Sequence, residues 1–240
     1  MLGDRPPARS RRRSTTEPAD STPSWPGRAA LIGCALGALT IFGWMLSVAL
    51  DPHQVATLDL SLLRHVTSAR TSVLVTAARV VSTAGSPTVM CVLAVGVTLW
   101  LARIARSYRP VVLTTVVLCG GSVLDAGCKN IVARPRPPLE LRAVAAHGYS
   151  FPSGHSLFAA LVLPLIAVLV APKLQSVGRR AMSWVAAILA VVVIGLSRLV
   201  LGVHYLSDVL AGWSLAAAWL FLALALVRNQ SLTRGGGADS

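Results

Sequence analysis

FPSGH (Phe151, Pro152, Ser153, Gly154, His155), followed by SLFAALVLPLIAVLVA (156–171), is where the chain changes texture most sharply. Ahead of it, residues 129–150 are polar and broken by prolines; behind it the apolar run is long enough to be a helix. Pro152 closes the loop, Ser153 and Gly154 stand where the helix should start, and His155 falls in its first turn. A helix start exposes unpaired backbone N–H groups and the positive end of the helix dipole, so this one is a candidate anion site. Gly154 lets backbone approach a ligand with no Cβ in the way. A histidine beside such a site can give or take a proton near neutral pH.

The rest of the chain reads as membrane. Of 240 residues, 54% are hydrophobic and 13% charged, against about 25% charged in soluble domains. Mean hydropathy is +0.67. Long apolar runs alternate with short basic ones, the pattern of an all-α polytopic membrane protein. The net charge of +13 does not point to nucleic acid, because the basic residues lie between hydrophobic spans, where the positive-inside rule accounts for them. Cys34, Cys91, Cys119 and Cys128 lie in or beside apolar runs without metal-ligand spacing, and read as small buried hydrophobes.

Six spans are expected, at 29–50, 87–104, 111–128, 156–171, 182–196 and 206–227. The first is too long for the apolar core of a signal peptide, so it is read as an uncleaved span. Pro164 inside the fourth is tolerable as a kink among packed helices. Between spans 1 and 2, Val55, Leu58, Leu62, Leu63 and Val66 recur at helical spacing with Arg64, His65 and Arg70 among them, which suits an amphipathic helix in the interface. The apolar piece 73–81, broken by Arg79 and stopped by Gly85-Ser86-Pro87, reads as a second interfacial helix or a half-inserted one. Residues 1–27, basic and rich in Ser, Thr and Pro, are expected to be a disordered tail, 28–228 one membrane domain with its core motifs in 129–208, and 229–240 a flexible tail.

Basic residues before span 1, between spans 2 and 3, between spans 4 and 5, and after span 6 place both termini in the cytoplasm. Yet Lys129, Arg134, Arg136, Arg142 and Arg198 fall on the opposite side. They break the rule and so should have another task.

Three segments meet on that outer face: Lys129 to Pro137 at the end of span 3, the FPSGH stretch, and Ser197-Arg198 with His204 and Asp208 between spans 5 and 6. Each has a plain structural reading alone: interfacial anchors, helix capping, an i,i+4 pair. Together they set two histidines, three cations and an aspartate on one membrane face, where such groups are costly unless used.

The set fits phosphoryl transfer, which needs an in-line nucleophile, neutralised equatorial oxygens and a protonated leaving oxygen. His204 is the candidate nucleophile. Asp208, one helical turn on, can take its ring N–H and steady the charged ring. Lys129, Arg136 and Arg198 can clamp the phosphate, helped by the N–H groups of Ser153 and Gly154 and the Ser153 hydroxyl. His155 can protonate the leaving oxygen and then activate water. Asp125, one turn before Lys129, can hold it in place. With three cations present and no acidic cluster, no metal and no cofactor is expected.

These residues resemble the type 2 phosphatidic acid phosphatase superfamily, which also includes the vanadium haloperoxidases. Its three motifs, Lys-x6-Arg-Pro, Pro-Ser-Gly-His and Ser-Arg-x5-His-x3-Asp, read here as Lys129…Arg136-Pro137, Pro152-Ser153-Gly154-His155 and Ser197-Arg198…His204…Asp208. The resemblance covers roughly 87–227. It implies a six-span helical fold, an active site at the outer surface and the roles assigned above, with Pro152 and Ser197 as supporting positions. Arg134-Pro135 repeats the Arg-Pro pair two residues early; Arg136 has the family spacing, and Arg134 either assists or meets headgroups. His147 reads as a loop residue, His53 and His65 as interfacial.

The expected activity is hydrolysis of a phosphate ester or diphosphate of a membrane lipid, at the outer face of a bacterial cytoplasmic membrane. A polyprenyl diphosphate such as undecaprenyl diphosphate is favoured, with phosphatidate or phosphatidylglycerophosphate, or phosphate transfer to another acceptor, as alternatives. A haloperoxidase is disfavoured because those relatives resemble soluble proteins. A non-catalytic lipid-binding or transport protein would keep the basic face but need not keep both histidines.

Overall fold

The structure, a computed structural model, describes residues 26–233. The expected tails 1–27 and 229–240 fall outside these apart from Pro26, Gly27 and the end of the last helix. All regular structure among the described residues is helical: α1 (Arg28–Leu50), α2 (Pro52–Gln54), a π-helical turn (Val55–Leu60), α3 (Ser61–Ser68), α4 (Ser72–Ala84), α5 (Pro87–Ala105), α6 (Arg109–Val132), α7 (Gly154–Val170), α8 (Val177–Val200) and α9 (Leu206–Thr233), with 3-10 turns at Leu139–Leu141 and Ala171–Lys173. Six of these helices are long and apolar enough to cross a bilayer: α1, α5, α6, α7 with its 3-10 extension, α8 and α9.

The expected spans are recovered, but the helices outrun the apolar runs. α6 continues to Val132, so Lys129 sits inside its last turn, and α8 starts at Val177 and ends at Val200, so Arg198 is helical. Hydropathy marks what lipid will hold; a helix continues for as long as its backbone bonds and caps are met. Caps fix several starts. Ser86 accepts from Val89 N–H with Pro87 at the first helical position, and Ser176 accepts from Arg179 N–H.

The bundle is organised around α7 and α9. Of their spans 61% and 56% is buried, against 22% or 33% for the other four, whose outward faces are left for lipid. The main core joins Leu157, Leu161 and Leu165 of α7 to Val117 of α6, Ile194 of α8, and Leu215 and Leu220 of α9. α1 lies along α9 and closes the site end through Met45, Val48 and Ala49, which pack with Phe151 and Ala211. The cysteines depart from expectation. All four are free thiols, but Cys34 and Cys119 are exposed. They stand on helix faces turned outward, where a small apolar side chain is as acceptable as in the core.

Between α1 and α5, α4 is a separate short helix that packs on α8, while α3 contributes the fully buried Leu63 to a cluster with Leu199, Tyr205 and Val209. Leu58 and Leu62, expected on the same apolar face, are exposed instead. Asp59, in the π-helical turn and one turn before Leu63, is buried.

The arginines at this end staple the loop 133–153 to the bundle. Arg70 donates to the carbonyls of Leu141 (2.8 Å) and Val200 (3.3 Å), Arg79 to Ala143 (2.8 Å), and Arg142 to Pro137 (2.6 Å). Gly202, at φ +70, passes so close to Leu141 that a Cβ would lie 1.9 Å from its carbonyl oxygen, so the loop and the α8–α9 corner fit only with glycine there.

Candidate active site

The three motif segments converge at one end of the bundle. Lys129 comes from the last turn of α6, Arg136 from the loop after it, His155 from the first turn of α7, Arg198 from the last turn of α8, and His204 and Asp208 from the corner into α9. Arg198, His204, Lys129 and Arg136 all lie near enough to His155 to act on it electrostatically.

His204 is buried, 2% exposed. Arg136 Nη1 lies 3.1 Å from its Nε2 and also donates to the Val203 carbonyl at 3.0 Å. A guanidinium only donates, so Nε2 is the acceptor and carries a lone pair. The ring proton then belongs on Nδ1, which faces Asp208 Oδ2 at 3.4 Å. Burial pushes the His204 pKa down to about 4; Asp208 opposes this, and Arg136 and Arg198 add to it. The ring is therefore neutral at ordinary pH, with its unprotonated nitrogen turned toward the cations. Burial also lowers the pKa of Arg136, against the pull of Asp208.

Asp208 is fully buried and heavily engaged. Its Oδ2 accepts from Tyr205 N–H at 3.0 Å, reaching back over the first turn of α9 like the acidic member of a capping box. Its Oδ1 accepts from Arg134. Arg134 is thus neither a direct phosphate clamp nor a headgroup contact. It is 4% exposed, bridges Asp208 and Asp59, and lies over the Tyr205 ring at 4.3 Å. Burial disfavours its charge, but the two aspartates outweigh that and raise its pKa. Ala133, the left-handed residue ending α6 (φ 46), turns the chain so that Arg134 enters the core.

Arg136 is held from outside as well: its Nε donates to the carbonyls of His147 and Gly148, both at 3.1 Å. His147 enters the site through its backbone, its side chain being exposed, in keeping with a loop residue. Arg198 is 7% exposed, donates to Ser82 of α4, and leaves its Nε without a partner among the described residues. A buried, orphaned guanidinium N–H at a cluster of cations is suited to an anionic oxygen.

Lys129 Nζ pairs with Asp125 at 2.6 Å, as the i,i+4 spacing implied. A Cβ on Gly154 would lie 3.0 Å from that Nζ and 3.4 Å from Asp125 Oδ1, so the absent side chain makes room for the lysine and its partner.

One expectation needs correction. The Ser153 N–H is not free for an anion: it donates to the Asp208 carbonyl at 3.0 Å, which ties the start of α7 to α9. The Ser153 hydroxyl accepts from Ser156 at 3.0 Å, and Ser153 is fully buried. The first intrahelical bond of α7 is Leu157 N–H to the Ser153 carbonyl at 2.9 Å. The N–H groups ahead of it, on Gly154, His155 and Ser156, have no carbonyl partner within the helix. Pro152 is buried and follows a cis peptide bond. Ser197 does not face the cluster; its hydroxyl donates to the Ile194 carbonyl at 2.6 Å within α8.

Sequence reading missed Asp59, Ser82 and the part played by Arg134. The first two lie in stretches without a motif: Asp59 is buried one turn from Leu63, and the packing of α4 on α8 brings Ser82 to Arg198. Among the described residues, no three His, Cys, Asp or Glu side chains converge as a metal site.

The model of the PAP2 superfamily matches residues 110–232. Phosphatidylglycerophosphatase B of Bacillus subtilis (strain 168) is 38% identical over 101 residues, 42% of this chain and 49% of that protein. Undecaprenyl-diphosphatase of Sulfolobus acidocaldarius is 32% identical over 107 residues, 42% of this chain and 48% of that one. The chain thus spans about half the length of the curated relatives it matches. In fold it resembles the crystal structure of a transmembrane PAP2 type phosphatidylglycerolphosphate phosphatase from Bacillus subtilis, with a TM-score of 0.73 and 22% identity over 86% of this chain and 99% of that one. The family match takes in Asp125, Lys129, Arg136, the Pro152–His155 turn, Arg198, His204 and Asp208, and the chain, a multi-pass helical membrane protein, belongs to the PAP2 superfamily.

Proposed function

We propose that this protein is an integral membrane phosphatase that releases phosphate from a lipid through a covalent intermediate on His204. The observation that carries this reading is the polarity of His204: Nε2 bare and beside Arg136, Nδ1 turned to Asp208. Nε2 attacks phosphorus as the bond to the lipid oxygen breaks, and His155, protonated, gives its proton to that oxygen. His155 then takes a proton from water, whose oxygen attacks phosphorus. The N–P bond breaks, phosphate leaves and His204 returns to neutral. Lys129, Arg136 and Arg198 balance the phosphoryl charge, with the N–H groups at the start of α7. The chemistry proceeds without a metal.

The site lies at the end of the bundle reached by the interfacial segment, level with where lipid headgroups would sit, which suits a substrate whose tail stays in the bilayer. The distribution of basic residues supports placing this end outside a bacterial cytoplasmic membrane with both termini inside. As substrate, a glycerolipid phosphomonoester such as phosphatidylglycerophosphate is better supported than the prenyl diphosphate favoured from sequence, because the more similar relative is a phosphatidylglycerophosphatase. An undecaprenyl diphosphate is the second reading, supported by the other relative. Phosphate release from phosphatidylglycerophosphate, phosphatidate and undecaprenyl diphosphate by purified protein in detergent tests this directly. The highest kcat/KM is expected for a glycerolipid; preference for the diphosphate would reverse the order, and release from none would reject the activity.

A further inference from the structure

Behind the histidine–aspartate pair lies a set of buried charges that the mechanism above does not use. Arg134 and Asp59 are each 4% exposed and Asp208 is 0%. Arg134 Nη2 donates to Asp59 Oδ2 at 2.7 Å; its Nη1 donates to Ser207 Oγ at 2.8 Å and to Asp208 Oδ1. Asp59 Oδ1 accepts the Ser207 N–H at 3.0 Å, and its Oδ2 accepts the Ser207 hydroxyl. Asp59 therefore caps the first turn of α9 from a segment far away in sequence.

Burying charge is expensive unless every group is matched, and three ions placed this deeply call for a reason. Two carboxylates share one guanidinium, so the set carries one surplus negative charge. That surplus stands directly behind His204, through Asp208 Oδ2. When Nε2 bonds to phosphorus and Nδ1 keeps its proton, the imidazole ring becomes positive. Arg136 and Arg198, the cations that act on the ring, oppose that change. Among the described side chains, it is this surplus negative charge that favours the change, from the side of the ring opposite the phosphoryl group. Were Asp208 paired with Arg134 alone, the pair would be neutral and the help largely cancelled; Asp59 takes up half of the guanidinium and leaves Asp208 with charge to offer His204.

We propose that Arg134 and Asp59 are positioning residues for His204: Arg134 fixes the Asp208 carboxylate at the start of α9, and Asp59, carried by the interfacial segment between spans 1 and 2, keeps the charge behind the ring at minus one. The proposal rests on the phosphohistidine reading of the site. It makes the interfacial segment part of the catalytic apparatus, since its π-helical turn delivers the balancing carboxylate.

The test is a charge cycle on the full chain purified in detergent: wild type, Asp59→Asn, Arg134→Gln and the double variant, with nominal charges behind His204 of minus one, zero, minus two and minus one. Steady-state kinetics and the rate of phosphohistidine formation from radiolabelled lipid phosphate are measured for each. Asp59→Asn is expected to lower kcat and the phosphorylation rate roughly 10-fold, with KM within about twofold, and Arg134→Gln to lower kcat roughly 100-fold. In Arg134→Gln the two carboxylates are left to repel each other and displace Asp208, so the double variant, which removes that repulsion, should be faster than Arg134→Gln alone. Defects that multiply in the double variant, as two independent packing losses would, overturn the proposal. So does wild-type kcat in Asp59→Asn. Where Asp59→Asn yields no folded protein, Asp59→Glu replaces it: the retained charge should keep kcat within about threefold, and a fall of 10-fold or more overturns the proposal. If wild type forms no phosphohistidine, the enzymatic reading fails as well; if wild type forms it and Asp59→Asn forms it equally fast, this inference alone fails.

Discussion

Arg136 donates through Nη1 to His204 Nε2 at 3.1 Å, while its Nε is held by the carbonyls of His147 and Gly148. The loop 133–153 thus fixes the guanidinium, and the guanidinium fixes which nitrogen of His204 is bare. Lysine has neither the fork geometry nor the donor count to do both. Arg136→Lys should lower kcat/KM by about 10²-fold with the fold intact, read from phosphate release beside a thermal melt.

His155 lies near the cations and His204, and the proposed mechanism gives it a separate part, handling protons on the leaving oxygen and on water. His155→Ala should slow phosphorylation and dephosphorylation alike, by about 10²–10⁴-fold in kcat. Rapid-quench measurement of the phosphoenzyme separates the two steps. A variant slowed in only one of them would divide these roles between two residues.

Burial holds His204 near a pKa of about 4 even with Asp208 at its back. The sign follows from the chemistry. Above that value the ring is neutral and Nε2 can attack; as pH falls through it, Nε2 takes a proton and the nucleophile is lost. The acid limb of kcat/KM is therefore expected near pH 4, well below the ordinary histidine value of about 6.5. A limb near 6.5 would mean a solvated ring.

Much of this arrangement was legible in the sequence because motif residues face a common point by helical spacing. Lys129 and Asp125 are one turn apart, as are His204 and Asp208, and both pairs meet in space. The spans could be read because lipid-facing helices must be apolar. Asp59 could not: it falls on the apolar side of its stretch, one turn from Val55 and from Leu63, and the partner that matches its charge, Arg134, arrives from a distant loop. Arg134 differs from Arg136 by two residues on an irregular loop, and its inward path depends on the left-handed Ala133. Ser153 looked available as an anion donor because the Asp208 carbonyl that occupies its N–H belongs to a helix 55 residues away in sequence.

Gly154 borders Lys129 closely. A methyl group there would stand 3.0 Å from Nζ and 3.4 Å from Asp125, so Gly154→Ala must move the lysine or lift the helix start. Overpacking of this kind costs about 1–3 kcal/mol. The expected result is a rise in KM for lipid phosphate together with a lower melting temperature.

In the proposed mechanism the positive charges near His155 take the part that a bound divalent ion plays at other phosphoryl-transfer sites. Activity should be unchanged after exhaustive chelation and should not rise when magnesium or zinc is added. Loss of activity on chelation, restored by one metal, would require a ligand set other than the groups described.

The most direct measurement is capture of the intermediate. Purified protein is mixed with lipid phosphate labelled on phosphorus, quenched within its first turnover, and mapped by peptide. An acid-labile, alkali-stable label on His204, absent from His204→Ala, whose kcat falls on the order of 10⁴-fold or more, is the expected result. Full turnover in His204→Ala, or label on another residue, would contradict it.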